Sequence, residues 1–522
     1  MQKIFLAHTL LKRLRLKTNY YTRGVTMKTT QGLGILTSLV FVSCASVSQA
    51  AVIDWSNVSG GDFNNGANWA GGSAPGAADT ASFNTDVAGS YSASLSQDAS
   101  VNDVSVINDD VVINLSGHNL DTARGITVGG AKAGKLVMRD GAFNKEQGYE
   151  GGLVSISVGS QVDTEGTFVI DNVDFGGYGM AGRMLFHIGH SRWTVGKGAL
   201  QIKNGSDVLG QSAFVGSHSD VSITGGSTFS LANDFFLESG ASLDVSEGSQ
   251  FHMSYGSLDG EVLVSGEGSS LNFSEIAGIG GVLTFQNGAT GSGADTAVGG
   301  NLIIDGVGTE YENWTYLMDI GGNATVTNGG LLKSADAISA IPGGVLLLDE
   351  GKVAAQRVMT EGGKIQGNGD ITGNVQNTYE GTVATGANGS SLNIDGNYTQ
   401  EHGSTLELAL GDWDAIGDYK LNINGDADLD GILKIDLWDT FKPKLNDVFT
   451  LIKAENINGM FSDFVLPKLS PGLGWDWGSD MVAGMETFSL KVVKGVPEPY
   501  TIVLMTIGLA GFAGARRFRK AA

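Results

Sequence analysis

Between about residues 198 and 352 one phrase recurs eight times: an apolar–x–apolar pair, then a glycine five or six residues after the first apolar position. The copies begin at Leu200, Val221, Leu243, Val262, Leu283, Leu302, Ala324 and Val345, in steps of 21, 22, 19, 21, 19, 22 and 21 residues. Their glycines are Gly205, Gly226, Gly248, Gly268, Gly288, Gly308, Gly329 and Gly351, and many precede a small residue, as in Gly205-Ser206 and Gly226-Ser227. Alternation puts both apolar residues of a phrase on one face of a strand. Glycine supplies the turn with a positive φ. One phrase cannot bury its own apolar face, but a second copy stacked ~4.8 Å away can. A near-constant period of this length predicts stacked parallel coils. An antiparallel sandwich also repeats its strands, at about 8–12 residues, and is the competing architecture.

The rest of the composition agrees with an all-β chain. Glycine contributes 79 of 522 residues and proline only 7. Residues 51–500 hold 21 Lys/Arg against 55 Asp/Glu, a net charge of −34. Such a body repels nucleic acid, so no nucleic-acid partner is expected. The one cysteine, Cys44, precedes the body, which excludes a disulfide or a cysteine–zinc site there.

Residues 27–50 read as an export signal: Met27-Lys28, an apolar run from about Leu33 to Val42, and a small-x-Ala end with cleavage between Ala50 and Ala51. Residues 1–50 are therefore assigned to export, with Met27 as the better start and 1–26 as either an extended basic n-region or a misassigned start. Phe41 fits poorly at the head of a lipoprotein box, so lipidation of Cys44 is not expected. The next stretch carries Trp55, Asp62-Phe63, Asn68-Trp69, Pro75-Gly76 and Asp79-Thr-Ala-Ser-Phe83. It resembles the opening of bacterial surface proteins with autotransporter-associated β-strand repeats, which implies a cap ahead of a β-helix. A carbohydrate-binding role for Trp55 and Trp69 is the alternative.

The expected division is a cap with first coils over 51–125, a β-solenoid over 126–365 and a C-terminal β-rich module over 366–494. Within the solenoid, Leu136-Val-Met138 and Phe168-Val-Ile170 lie 32 residues apart, as do Phe168 and Leu200. Either these coils carry insertions or a degenerate coil lies between. Insertions on a solenoid often form its binding face, here with Tyr149, Tyr178, His187, His190, Arg192 and Trp193. From Gly367 the line Gly367-Asn-Gly-Asp-Ile371-Thr-Gly-Asn-Val375, then Leu392-Asn-Ile394 and Tyr398-Thr-Gln400, resembles the C-terminal module of the same surface proteins. That likeness implies a β-helix or β-roll end with no catalytic residues. Ala384-Thr-Gly386 departs from it where the family has Pro-Gly.

The tail, 495–522, is the most specific signal. Pro497-Glu498-Pro499 is followed by an apolar run from Tyr500 to Ala515, then by Arg516, Arg517, Arg519 and Lys520. This resembles a PEP-CTERM sorting segment. The resemblance implies an exosortase-type membrane protease as partner, transient inner-membrane anchoring, and an exopolysaccharide-producing setting. Sixteen apolar residues at ~1.5 Å each reach ~24 Å as a helix, slightly short of a full span. The basic cluster is expected to stay cytoplasmic, leaving the body outside.

Candidate chemistry is sparse. His187 and His190 suggest zinc, but no third ligand is evident. Asp426, Asp428 and Asp430 match the first half of a calcium loop whose twelfth position is Leu437, not glutamate. Acids such as Asp244, Glu247 and Glu267 are dispersed rather than paired for acid–base work. No catalytic residue, metal site or cofactor is expected. The resulting expectation is an exported, non-enzymatic surface or matrix protein. A glycan-binding adhesin-like module comes second, and a polysaccharide-degrading β-helix enzyme third.

Overall fold

The structure is a computed structural model. It describes residues 50–130, 133–144, 154–160, 164–176, 184–189, 196–385, 391–411, 419–438 and 440–495. Among these the chain is all β. Its only helical pieces are two short turns, Gly66–Asn68 and Ala70–Gly72. The strands join one large, mainly parallel sheet.

The chain visits three rows of strands in turn. In the first row Lys197–Lys203 pairs in parallel with Asp220–Ile223, and the row continues through Ser242–Ser246, Glu261–Ser265, Val282–Gln286, Asn301–Asp305 and Asn323–Thr327. Asp207–Gly210, Thr228–Leu231 and Gln250–Met253 build the second row. Ser212–Val215, Asp234–Leu237 and Tyr255–Leu258 build the third. Each of these strands after the first in its row pairs with the strand that occupies the row in the preceding circuit.

The register follows the sequence period. Leu200 pairs with Val221, then Leu243, Val262, Leu283, Leu302 and Ala324, one residue per circuit. All seven are at most 2% exposed. The second apolar position, from Ile202 to Val326, forms a parallel column that is fully buried. Aromatic rings fill the interior behind the second row: Phe143 stacks on Phe175 at 4.3 Å and Phe229 on Phe251 at 5.0 Å.

The eighth copy is displaced by one residue from the expected frame. Ala324 pairs with Leu346 and Val326 with Leu348, while Val345 pairs with Asn323. A register shift follows Val326, where Glu350, with φ 60°, takes the left-handed position and Gly351 does not. Four consecutive apolar residues, Val345 to Leu348, offered two frames, and burial of Leu346 and Leu348 selects one.

The 32-residue steps are insertions. Leu136 pairs directly with Phe168, and Phe168 with Leu200, so no coil lies between them. The added residues include 145–153, 161–163, 177–183 and 190–195, outside the described residues.

The ladder runs on across residue 365. Val345–Glu361 pairs with Lys364–Thr378, and the rows proceed through Leu392–Asp395 and Leu421–Ile423. The pattern changes at the end, where Met485–Lys494 pairs antiparallel with Val448–Ala454 on one side and Leu473–Val482 on the other. No described helix is long and apolar enough to cross a membrane, and the expected membrane helix, 500–515, lies outside the described residues.

The glycine–small-residue pairs mark the corner between first and second rows. Asn204 and Gly205 turn there with φ of 57° and 76°. A Cβ on Gly205 would meet nothing within 4 Å, so conformation rather than space selects glycine. The following hydroxyls point inward and are at most 1% exposed at Ser206, Ser227, Ser249, Ser269 and Thr309. They bridge neighbouring circuits. The Ser206 amide donates to Ser227 Oγ at 3.2 Å, and the Ser227 amide to Ser249 Oγ at 3.1 Å. Ser227 Oγ in turn donates to the Thr224 carbonyl at 2.7 Å. Corner amides that would otherwise be buried without partners are thereby satisfied.

Three substitutions test this packing. Leu243→Asp places an unpaired charge in the buried column and is expected to cost roughly 3 kcal/mol or more. Leu263→Asp, on the outward face of the next circuit, is expected to stay within about 1 kcal/mol. Denaturant unfolding of the exported chain measures both, and equal midpoints would remove the column from the core. Ser227→Ala strips two bonds from one corner and is expected to cost about 1–3 kcal/mol in the same assay.

Candidate functional site

The N-terminal aromatics are structural. Trp55 and Trp69 are each 2% exposed and meet edge to face at 5.0 Å. Their indole N–H groups donate to the Asn57 and Phe63 carbonyls, both at 2.7 Å. Phe63, Phe83 and Tyr91 complete the cluster. Neither tryptophan offers a ring face to a sugar, which overturns the carbohydrate-binding alternative for this pair. Beneath them Asp109, 1% exposed, accepts from the Thr85 amide and hydroxyl, the Asp86 amide and the Tyr91 hydroxyl. Burial, and then the bond to Asp109, pushes the Tyr91 hydroxyl well above the ordinary tyrosine range.

Ala50 and Ala51 stand where pairing begins. The Ala51 carbonyl accepts from the Thr80 amide at 2.8 Å, and its amide donates to Asp79 Oδ1 at 3.2 Å. Ala50 is exposed.

Of the candidates on the insertions, Tyr149, Tyr178, His190, Arg192 and Trp193 lie outside the described residues. His187 sits in the strand Met184–Ile188 and faces outward, in register with Ser157 on one side and Phe214 on the other. Phe214 pairs in turn with Phe236, which is 46% exposed. These two outward phenylalanines escaped the sequence reading. The signal was their place opposite the inward residues of strands apolar on both faces. Among the described residues no three His, Cys, Asp or Glu side chains gather to hold a metal.

The three aspartates of the half calcium loop do not converge. Asp426 accepts from Asn456 at 2.7 Å and Asp428 from Asn458 at 3.0 Å, each on the next circuit. Asp430 accepts from the Gly431 amide at 2.6 Å. Ala427 and Leu429 point inward between them, as strand alternation requires. Of the dispersed acids, Asp244 accepts from Ser246 at 2.6 Å and Glu247 from the Gly225 amide at 3.1 Å. Asp244 shares a shallow depression with Glu261, lined otherwise by Ser242, Leu243, Val262, Leu263, Val282 and Thr284. Glu267 is not among its lining residues.

Glu407 is a carboxylate held between two lysines. Lys434 lies at 2.5 Å and Lys364 at 3.3 Å. Partial burial raises its pKa, but the bonds and charges of the two lysines outweigh that and hold it below the ordinary range. A depressed folded value stabilises the fold above the ordinary glutamate range, and this stabilisation disappears as pH falls through the folded value.

At the C-terminus the last ladder residue is Lys494, paired with Leu473. The Gly495 amide then donates to the Gly472 carbonyl at 2.9 Å. Pro497, Glu498, Pro499, Arg516 and Arg517 follow, outside the described residues. Residues 495–519 match the PEP-CTERM protein-sorting motif. The match covers this tail alone, and it makes the chain an exported protein addressed to exosortase, a membrane enzyme, with a surface or extracellular destination. No curated protein matches the chain. The PEP-CTERM motif thus begins at the residue that closes the ladder, with no linker between sheet and signal.

Glu407→Gln is expected to flatten the acid limb of the stability–pH profile while leaving the neutral-pH fold intact. Thermal midpoints measured from neutral pH down through the carboxylate range check it. An unchanged acid limb would show that Glu407 is not coupled to folding.

Proposed function

We propose that the chain is a non-enzymatic, exported β-solenoid, held at the inner membrane by its PEP-CTERM tail and passed to the cell surface or extracellular matrix after cleavage. The observation that carries this reading is the sorting motif fused directly to an unbroken ladder. Three further features support it. The rows repeat through the described residues in the manner of a solenoid, the likeness to autotransporter-associated surface proteins runs through the cap and the last module, and Asp426 and Asp428 are spent on bonds between circuits. Exosortase is the processing partner, and exopolysaccharide is the matrix in which such a rigid, acidic body would reside.

The apolar run crosses the membrane with its basic end inside, which puts Pro497-Glu498-Pro499 at the outer face. Two prolines around Glu498 disfavour a helix at the triplet, which suits recognition by a protease. Replacing the triplet with three alanines is expected to retain full-length protein in the membrane fraction. Mass spectrometry of the native mature protein is expected to find Ala51 at the start and no residues beyond about Pro499. An intact Ala522 in a strain with working exosortase would refute the processing, and reproducible polysaccharide cleavage abolished by one carboxylate substitution would refute the non-enzymatic reading.

A second reading, glycan binding, is favoured by the outward row of His187, Phe214 and Phe236. A glycan array with wild type and Phe236→Ala separates the two.

A further inference from the structure

Charge is distributed unevenly along the body. Residues 51–439 hold 15 Lys/Arg against 48 Asp/Glu, a net charge of −33. Residues 440–495 hold six of each. Five of those six cations, Lys442, Lys444, Lys468, Lys491 and Lys494, are exposed, and none is held in an ion pair with a described residue.

The fold draws the segments that carry them together. Lys494 and Lys491 lie on the last strand, opposite Leu473 and Asp476. The Asn446 amide donates to the Val492 carbonyl at 2.9 Å, and the Val492 amide to the Asp447 carbonyl at 2.9 Å, which brings the Lys442–Lys444 segment alongside. Trp475 Nε1 donates to the Pro467 carbonyl at 2.9 Å, which brings in Lys468. Phe449 touches both Phe441 and Trp475, tying the three segments underneath. Exposed apolar side chains sit among the lysines, Leu445 at 39% and Val448 at 37%. The acids nearest in register are Asp447, whose carboxylate caps the Lys444 amide at 2.6 Å, and Asp476.

This lysine cluster stands beside Gly495, where the sorting tail leaves the sheet. With an apolar run starting at Tyr500, only about five residues separate the cluster from the hydrocarbon edge, a reach of at most ~18 Å. We infer that this end of the body, with Lys491 and Lys494 on alternate sides of the last strand, is a docking surface for an anionic lipid headgroup layer, on which the body rests while its tail is in the membrane. The lysines supply the attraction, Leu445 and Val448 fit the boundary between headgroups and chains, and the acidic remainder is repelled and stands away. The inference rests on the membrane placement of the tail proposed above.

The test uses the chain from Ala51 to Ala522, which has no native cysteine. One probe goes on Ser470→Cys, exposed beside Lys468, and a control probe on Ser59→Cys, exposed in the cap. Each protein is mixed with vesicles of phosphatidylcholine alone, or of equal parts phosphatidylcholine and phosphatidylglycerol, carrying a headgroup quencher. Flotation with neutral vesicles reports the tail separately from docking. At low salt the 470 probe is expected to be quenched at least about three-fold more on anionic than on neutral vesicles, an excess that disappears near 1 M salt, where screening acts within about 3 Å. Changing all five lysines to glutamine removes the same excess without disturbing a buried contact, and the Ser59 probe shows none.

Flotation with equal quenching of the 470 probe on both lipids overturns docking and leaves the tail reading standing. Salt-sensitive binding to anionic vesicles alone, lost in the glutamine variant, overturns the tail reading and upholds docking. Binding to neither overturns both. Quenching that requires added exosortase overturns the lipid assignment in favour of a protein surface.

Discussion

Everything in this body depends on turning a corner inside a closed ladder without leaving a backbone amide unpaired. Strands that stack in parallel satisfy one another along their length, but corners have no such symmetry. Here a left-handed pair such as Asn204-Gly205 reverses the chain, and the next hydroxyl, buried at Ser206, Ser227 or Ser249, receives an amide from the circuit before it. The hydroxyl column thus joins circuits where the ladder bonds are interrupted, and the apolar columns beside it exclude water. Hydrophobic burial opposes a one-residue slip, which would bring the wrong face inward, but a two-residue slip keeps each face. The hydroxyl set opposes both, because either slip would strand the corner amides.

The period, the inward columns and the glycine corners were legible because each is a local rule repeated many times. Leu200 to Leu302 needed only alternation and spacing. Legibility failed where two frames were equally apolar, at Val345–Leu348, and the burial of Leu346 and Leu348 decided between them. The direct Leu136–Phe168 and Phe168–Leu200 pairings were open in the sequence because spacing alone does not separate an insertion from a worn copy. The antiparallel hairpin at the end was not legible, since its strand Leu473–Val482 reads like any other strand. Of the candidate functional features, the tail was plain because its signals are consecutive. The lysine cluster was hidden, because three segments scattered over more than fifty residues meet only in the fold. The burial of Trp55 and Trp69 was likewise invisible, since a capping and a sugar-stacking tryptophan have the same sequence.

The two ends solve one problem in different ways. An open parallel row invites another strand to join it. At the start, Trp55, Phe63, Trp69 and Phe83 seal the interior. At the finish an antiparallel strand covers Val448–Ala454, while Phe461 and Phe488 close the core and Phe464, stacked on the exposed Trp477, packs against it. The second seal carries lysines and the sorting tail, and the first carries neither.

The order of pairing gives the chain a direction in time. Each strand of the repeating rows finds its partner in the circuit already made, and the Trp55–Trp69 cluster is the surface on which the first circuit forms. A chain that crosses a membrane amino end first therefore meets a finished template at each step. For such a chain every completed circuit would oppose backsliding. The last strand ends at Lys494 and the sorting motif begins at Gly495, so the final circuit and the signal become available together.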